Sequence, residues 1–171
     1  VIISKVTNSP VIVLATPIKG DGGKARAVLI ARLDATMLSE ITDGIKYGQT
    51  GYSYMIDEKG VLIAHANRQF VLDQKNFLEE GKTNPDYATL SAMLQRMVKG
   101  ESGFEQYPFM GKDRFFGFAP IEGTGWSIAV GAMQDDVLAA IYQMRWMIAL
   151  ASVVFFAIGI VIALIIGRMV L

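Results

Sequence analysis

Residues 51–67 read GYSYMIDEKGVLIAHAN and carry the pattern that decides the fold. Tyr52 and Tyr54 alternate with other residues, which is the two-residue period of a β-strand with one face turned to a core. Residues 57–60 end in glycine and predict a turn, after which 61–64 return as the partner strand. The stretch therefore predicts a β-hairpin.

A helix and three further strands are predicted after this hairpin. Residues 84–98 open with Asn-Pro-Asp and then place apolar residues three and four positions apart, the spacing of an amphipathic helix. Residues 103–109, 113–121 and 126–132 are strand-like and are separated by turns that contain glycine. Residues 48–133 thus predict five antiparallel strands with a helix on one face, a PAS-like α+β domain.

Strands are also predicted before the hairpin, in residues 1–34. The apolar, β-branched runs 11–18 and 25–34 flank a glycine-rich turn at 20–24, so they predict a second hairpin. Residues 35–47 show helical spacing of apolar residues. We expect the three strands of residues 1–34 to be the end of a second unit like the first, joined to it by a helix.

The C-terminal part of the chain is strongly apolar. Residues 146–167 contain no charged side chain and, as a helix, would extend about 33 Å, enough to cross the hydrocarbon core of a bilayer. Arg145 and Arg168 flank the run, and Trp146 adds an interfacial anchor. The pattern predicts a transmembrane helix that begins near Gln134.

Composition excludes several kinds of function. The chain has 16 basic and 16 acidic residues, so its overall charge does not favour a nucleic-acid partner. It has no cysteine and a single histidine, His65, which excludes thiolate chemistry and multi-histidine zinc sites within this chain. The pairs Glu79-Glu80 and Asp135-Asp136 are adjacent, and neighbouring residues on a helix do not face each other. We expect no catalytic residue, no metal and no cofactor.

Three stretches resemble the double Cache domains. Residues 48–67, GQTGYSYMIDEKGVLIAHAN, resemble the opening hairpin of the membrane-proximal module, and residues 107–130, YPFMGKDRFFGFAPIEGTGWSIAV, resemble its later strands. Residues 9–41 are similar to the end of the membrane-distal module. Double Cache domains are extracytoplasmic ligand sensors of chemoreceptors, histidine kinases and cyclic-dinucleotide enzymes.

The resemblance implies a division of the chain. Residues 1–34 would be the tail of the membrane-distal module, 35–47 a connecting helix, 48–133 the complete membrane-proximal module, and 134–168 a signalling and transmembrane helix. We expect a five-stranded PAS-like sheet with flanking helices, followed by the transmembrane helix.

The resemblance also implies the sensing portion of a receptor in the cell inner membrane, such as a methyl-accepting chemotaxis protein. Its expected partners are a small-molecule ligand, the membrane and a second copy of the chain, bound through the membrane and connecting helices. The alternatives are the sensor domain of a histidine kinase or cyclic-dinucleotide enzyme, a membrane-anchored interaction module without a ligand, and an anchored enzyme.

Side chains of the proximal module are candidates for the wall of a ligand pocket under a covering loop at 69–81. They are Tyr54, His65, Tyr107, Arg114, Phe116 and Trp126. An arginine among aromatic rings would favour a carboxylate, through paired charge-assisted hydrogen bonds. The alternatives are a strand-end histidine, core aromatics and a solvent-facing arginine, in a module that only relays signals from the distal half.

Overall fold

The computed structural model describes residues 1–20 and 22–170. They form two compact units, one from Val1 to Gln134 and one from Asp135 onward. The strands are β1 (Ile2–Ile3), β2 (Pro10–Lys19), β3 (Ala25–Asp34), β4 (Tyr52–Ile56), β5 (Leu62–His65), β6 (Gly103–Phe109), β7 (Lys112–Ile121) and β8 (Trp126–Met133). The helices are α1 (Thr36–Gly44), α2 (Arg68–Leu72), α3 (Phe77–Glu80), α4 (Ala88–Val98), which follows a 3-10 turn at Pro85–Tyr87, and α5 (Gln134–Val170).

The first sheet has the order β1-β2-β3 and is antiparallel. The predicted hairpin of β2 and β3 is confirmed, whereas Asp21, in the predicted turn between them, lies outside the described residues. The first strand, which the sequence predicts over residues 1–7, is limited to Ile2–Ile3. It ends at Ile3 because the hydroxyl of Ser4 accepts hydrogen bonds from the backbone of Val6 and Thr7, which turns the chain.

The second sheet has the order β5-β4-β8-β7-β6, and every neighbouring pair is antiparallel. The five predicted strands are confirmed, as is the α+β fold class. Gly131 of β8 lies where a side chain cannot fit, because an added Cβ would lie 1.9 Å from the carbonyl oxygen of Phe115. The boundaries of the proposed Cache modules stay a prediction.

Helices cover both faces of the second sheet. On one face, α4 packs Leu90, Met93, Leu94 and Met97 onto the strands, and each such buried side chain contributes about 1.5–3 kcal/mol. The opposite face packs against Leu38 of α1. The covering stretch at 69–81, which the sequence predicts as a loop or a short helix, holds two short helices, and each begins after an asparagine that caps it, at positions 67 and 76.

The helix α5 begins at the residue after β8 and is 37 residues long. The most apolar window of 18 residues within Gln134–Met169 has a mean hydropathy of 3.0, and none of this window is buried. The predicted C-terminal helix is confirmed as a helix that is long and apolar enough to cross a membrane.

Candidate ligand-binding site

A small cavity lies between the second sheet and the helices α3 and α4. Its volume is about 20 Å³, which is room for about one water molecule. The lining is mostly aromatic and aliphatic and consists of Tyr52, Tyr54, Gly60, Leu62, His65, Phe77, Leu90, Leu94, Tyr107 and Phe109. No carboxylate is among these lining residues.

Small residues of the central strand β8 bring the aromatic rings together. Tyr52 of β4 pairs with Gly131, and Gly131 pairs in turn with Phe116 of β7. Because Gly131 has no side chain, the rings of Tyr52 and Phe116 meet across it with their centroids 5.0 Å apart. Ala129 occupies the equivalent position between Tyr54 and Phe118. The cavity therefore has a continuous aromatic floor.

Three tyrosine hydroxyls face this interior. The hydroxyl oxygens of Tyr54 and Tyr107 are 3.5 Å apart, at the limit of a hydrogen bond. Burial raises the pKa of Tyr52, Tyr54 and Tyr107 above the ordinary tyrosine value. All three hydroxyls therefore keep their protons at physiological pH and can donate hydrogen bonds.

Arg114 lies directly behind this wall and points inward. Its guanidinium donates to the hydroxyl of Tyr52 and, at 3.4 Å, to the backbone carbonyl of Phe109. The guanidinium carbon lies 4.9 Å from the ring centroid of Phe109 and 5.5 Å from that of Tyr52, which is cation–π distance. The side chain is buried, so the expectation of a solvent-facing arginine is wrong.

His65 lies at the end of β5, opposite Tyr54, and its ring contacts Tyr52, Tyr54 and Phe70. Its Nδ1 accepts a hydrogen bond of 2.8 Å from the backbone N–H of Asn67. Burial lowers the pKa of His65 to about 4, so the imidazole is neutral near pH 7. In its neutral form, the side chain of His65 adds no net charge to the lining of the cavity.

The backbone of His65 connects the cavity wall to α1. Its N–H donates to the hydroxyl of Ser39, and its carbonyl accepts from Arg68 at 2.6 Å. Arg68 also forms an ion pair with Asp43 of α1 at 2.6 Å. A displacement of the cavity wall at His65 would therefore also displace α1, the helix that follows the first sheet.

The structure brings together five of the six predicted site residues and separates the sixth. Tyr54, His65 and Tyr107 line the cavity, while Phe116 and Arg114 lie behind its lining. Trp126 does not belong to this group, and its assignment to the pocket is wrong. It packs on the opposite face of the sheet with Met55, Ile63 and Ile128. The cause is the register of β8, in which Ser127, Ala129 and Gly131 face the cavity side.

Other cavity residues were not in the predicted set. Tyr52 shares a face with Tyr54 by simple alternation, so the sequence pattern contained the information needed to find it. Phe77 and Phe109 come from α3 and the end of β6, and their rings meet with centroids 5.1 Å apart. No local pattern shows that contact, because it depends on how the chain folds back over the sheet.

Metal binding has no support in the part of the chain that the structure describes. Within residues 1–20 and 22–170, no group of three or more histidine, aspartate or glutamate side chains is placed to hold a metal ion.

Comparisons with known proteins agree on one family. The sequence model of the Cache domain matches residues 1–141. The methyl-accepting chemotaxis protein McpA of Pseudomonas putida is 23% identical over 138 residues, which are 78% of this chain and 19% of McpA. The chain therefore spans about a fifth of the length of this relative.

Solved structures give the same fold. The extracellular domain of mmHK1S-Z3, a protein described as a histidine kinase, superposes with a TM-score of 0.62 at 18% identity, over 79% of this chain and 48% of that one. The ligand-binding domain of the amino acid chemoreceptor PctB of Pseudomonas aeruginosa, in complex with L-Arg, has a TM-score of 0.55 at 22% identity, over 80% and 49%. The chain thus spans about half of each of these domains.

Proposed function

The chain belongs to the Cache domain family, and on that basis we propose that it is the extracytoplasmic sensing portion of a transmembrane signalling receptor. In this proposal residues 1–34 are the tail of a membrane-distal module, 35–47 connect it to a proximal module at 48–133, and 134–168 form the signalling and transmembrane helix. The receptor is a chemoreceptor in the cell inner membrane, in line with the similarity to McpA.

One observation supports this proposal most: β8, the strand of the second sheet that comes last in the sequence, continues directly into the apolar helix α5. Met133 ends β8 and Gln134 begins α5, so no residue separates the strand from the helix. β8 is also the central strand of the sheet and carries Gly131, whose surroundings include the aromatic floor of the cavity. A ligand that binds the two states of such a sheet unequally would shift α5, by a coupling of typically 1–3 kcal/mol.

The proposed ligand is a small molecule that carries a carboxylate. PctB is a chemoreceptor domain with L-Arg bound, which supports a small-molecule ligand for this chain as well. For the proximal module we propose Tyr54, His65, Tyr107, Arg114 and Phe116 as site residues. The buried guanidinium of Arg114 favours a carboxylate. We propose no catalytic activity for this portion, since the matched relatives are described as a chemotaxis protein, the ligand-binding domain of a chemoreceptor and the extracellular domain of a histidine kinase.

We further propose that α5 pairs with α5 of a second copy in the membrane. Gly159, Ala163 and Gly167 are spaced by four residues and so lie along one side of the helix. Small residues at this spacing let two helices approach closely in a bilayer. An added Cβ at Gly159 would meet nothing within 4 Å in the single chain, so this position can take a side chain without damage to its own helix.

Disulfide cross-linking of α5 tests both the pairing and the sensing. The chain has no cysteine, so an introduced cysteine is unique. We expect Gly159→Cys to cross-link to a dimer in native membranes faster than the control Val161→Cys, which points about 200° away around the helix. Adding a mixture of the twenty amino acids and small organic acids should change the Gly159→Cys rate. Equal rates for both variants would contradict the pairing, and a rate that no mixture changes would favour an interaction module without a ligand.

A histidine kinase sensor is the second candidate. The similarity of fold to the extracellular domain of mmHK1S-Z3 favours it specifically. The two candidates share the portion described here and differ in the output domain. Autophosphorylation of the full-length protein on a histidine would decide for the kinase, and methylation of a long cytoplasmic coiled coil would decide for the chemoreceptor.

A further inference from the structure

Arg114 places a buried positive charge directly behind the cavity. The residue is 8% exposed. Among the described residues up to Gln134, no carboxylate forms an ion pair with it, and its Nε–H is buried without any hydrogen-bond partner. A buried charge is costly unless it is paired and hydrogen-bonded. An anion bound close to Arg114 would therefore offset the cost of burying its guanidinium.

Both groups that accept hydrogen bonds from Arg114 belong to residues that line the cavity. They are the hydroxyl of Tyr52 and the carbonyl of Phe109. Because the oxygen of Tyr52 accepts from the guanidinium, its own proton is available for donation, either to the nearby hydroxyl of Tyr107 or to a bound acceptor. The positive charge behind it makes this hydroxyl a stronger donor, since hydrogen bonds polarise one another in a chain.

The hydroxyls of Tyr54 and Tyr107 can also donate a hydrogen bond into the cavity. Tyr54 and Tyr107 place hydroxyls 3.5 Å apart in the lining, and at most one proton can be shared between the two oxygens. One hydroxyl proton of this pair is therefore left for a further acceptor. The remaining lining is aromatic or aliphatic apart from His65 and Gly60. The cavity thus offers hydroxyl donors and a positive charge on one side and apolar walls around them.

We propose that this cavity of the second sheet binds a small monocarboxylate without an amino group, of the size of acetate, with Tyr52 as the direct donor and Arg114 as the charge behind it. This inference refines the ligand site proposed above and names its chemical class. The carboxylate accepts from the Tyr52 hydroxyl and from the Tyr54–Tyr107 pair, and the methyl group contacts Phe77.

Size and charge both set the specificity of this site. The cavity of about 20 Å³ holds about one water molecule, so acetate, with its four heavy atoms, binds only when the lining moves outward, and each further methylene requires more movement. An amino acid would also place an ammonium group in a lining that has no carboxylate, close to the guanidinium of Arg114. Acetate should therefore bind better than both butyrate and glycine.

Calorimetry on the whole chain in non-ionic detergent micelles tests this inference, with sodium sulfate as the background salt. We expect saturable binding of acetate, with a Kd no tighter than about 40 μM for a ligand of four heavy atoms. Butyrate, glycine and the neutral isostere acetamide should each bind at least about tenfold more weakly, a difference of 1.4 kcal/mol. Equal binding of acetate and acetamide, or no binding of acetate, would overturn the proposal.

Three variants assign the binding to the named residues. Tyr52→Phe removes a single oxygen atom and should weaken acetate at least fivefold, while Arg114→Met should abolish saturable binding. Arg26→Met is the matched control, because Arg26 is exposed on β3 and lies in the first sheet, and it should bind as the unmodified chain does. Acetate affinity that is unchanged in both Tyr52→Phe and Arg114→Met would refute the site, and Tyr52→Phe keeps the test valid if Arg114→Met does not fold.

The cross-linking experiment separates this inference from the sensor proposal. Acetate that binds but leaves the Gly159→Cys cross-linking rate unchanged would confirm the site and refute its role in sensing. A rate that responds to other ligands, without acetate binding, would keep the sensor and refute this site.

Discussion

The neutral imidazole of His65 makes the stability of the domain depend on pH in a defined window. Burial lowers the pKa of this side chain to about 4, from about 6.5 in the unfolded chain. Between these two values the unfolded chain binds more protons than the folded chain. The free energy of unfolding therefore rises as the pH increases from about 4 to about 6.5, and acidification through this window destabilises the fold.

The size of the effect follows from the two pKa values. Proton linkage gives a loss of at most about 2 kcal/mol between pH 7 and pH 5, and of at most about 3 kcal/mol at pH 4. Other groups titrate in the same range, so the informative quantity is the difference between the unmodified chain and His65→Gln, which cannot take up this proton. We expect the unfolding free energy of the variant to be lower at pH 7, because packing is lost, but to fall less steeply with acid.

Urea unfolding in non-ionic micelles measures this difference. The chain has two tryptophans, and a Trp146→Phe background leaves Trp126 as the only tryptophan, on the opposite face of the sheet from His65, where it can be excited selectively at about 295 nm, the red edge of tyrosine absorption. The two unfolding free energies should converge by about 2 kcal/mol between pH 7 and pH 5. Parallel pH profiles for the two proteins would refute the conclusion that His65 is buried in its neutral form.

Three further substitutions test the packing, the attachment of α1 and the membrane helix. Phe116→Ala, at a residue 0% exposed, should cost about 3–5 kcal/mol in urea unfolding, whereas Phe104→Ala, at 62% exposure, should cost less than about 1 kcal/mol; similar losses would contradict the assigned core. Ser53→Ala removes the 2.8 Å hydrogen bond to the carbonyl of Thr42 in α1 and should cost about 1 kcal/mol, with faster hydrogen exchange in α1 than elsewhere as the diagnostic result. Ala157→Arg places a charge near the middle of the apolar run and should oppose insertion by about 2.5–3.5 kcal/mol, seen as release by alkaline carbonate extraction; unchanged retention would count against a transmembrane α5.

The local elements of this fold could be predicted from the sequence because their periods are strong. β4 and β5 differ from the predicted bounds by about one residue, since a two-residue alternation closed by Asp57-Glu58-Lys59-Gly60 has few alternative structures. The same alternation placed Tyr52 and Tyr54 on one face of β4. The short β1 was not predictable in this way, because the side-chain hydrogen bonds of Ser4 decide it.

The candidate site was predictable only in part, because it depends on register between strands. Alternation shows that Trp126 and Ile128 share a face, but it does not show which face meets the tyrosines of β4. That is decided by the pairing of Tyr54 with Ala129, a long-range contact. The buried position of Arg114 depends likewise on Tyr52 and Phe109, which come from two other strands and accept its hydrogen bonds.

The sidedness of the chain in the membrane tests the central claim most directly, because an extracytoplasmic sensor requires residues 1–134 outside and the end of α5 inside. Glu122 lies in an exposed turn and Met169 lies near the end of α5, so we choose the variants Glu122→Cys and Met169→Cys. In intact spheroplasts, a membrane-impermeant maleimide should label Glu122→Cys at once and should label Met169→Cys only after lysis. The reverse order of labelling would contradict the proposed function, and immediate labelling of both positions would contradict a helix that spans the membrane.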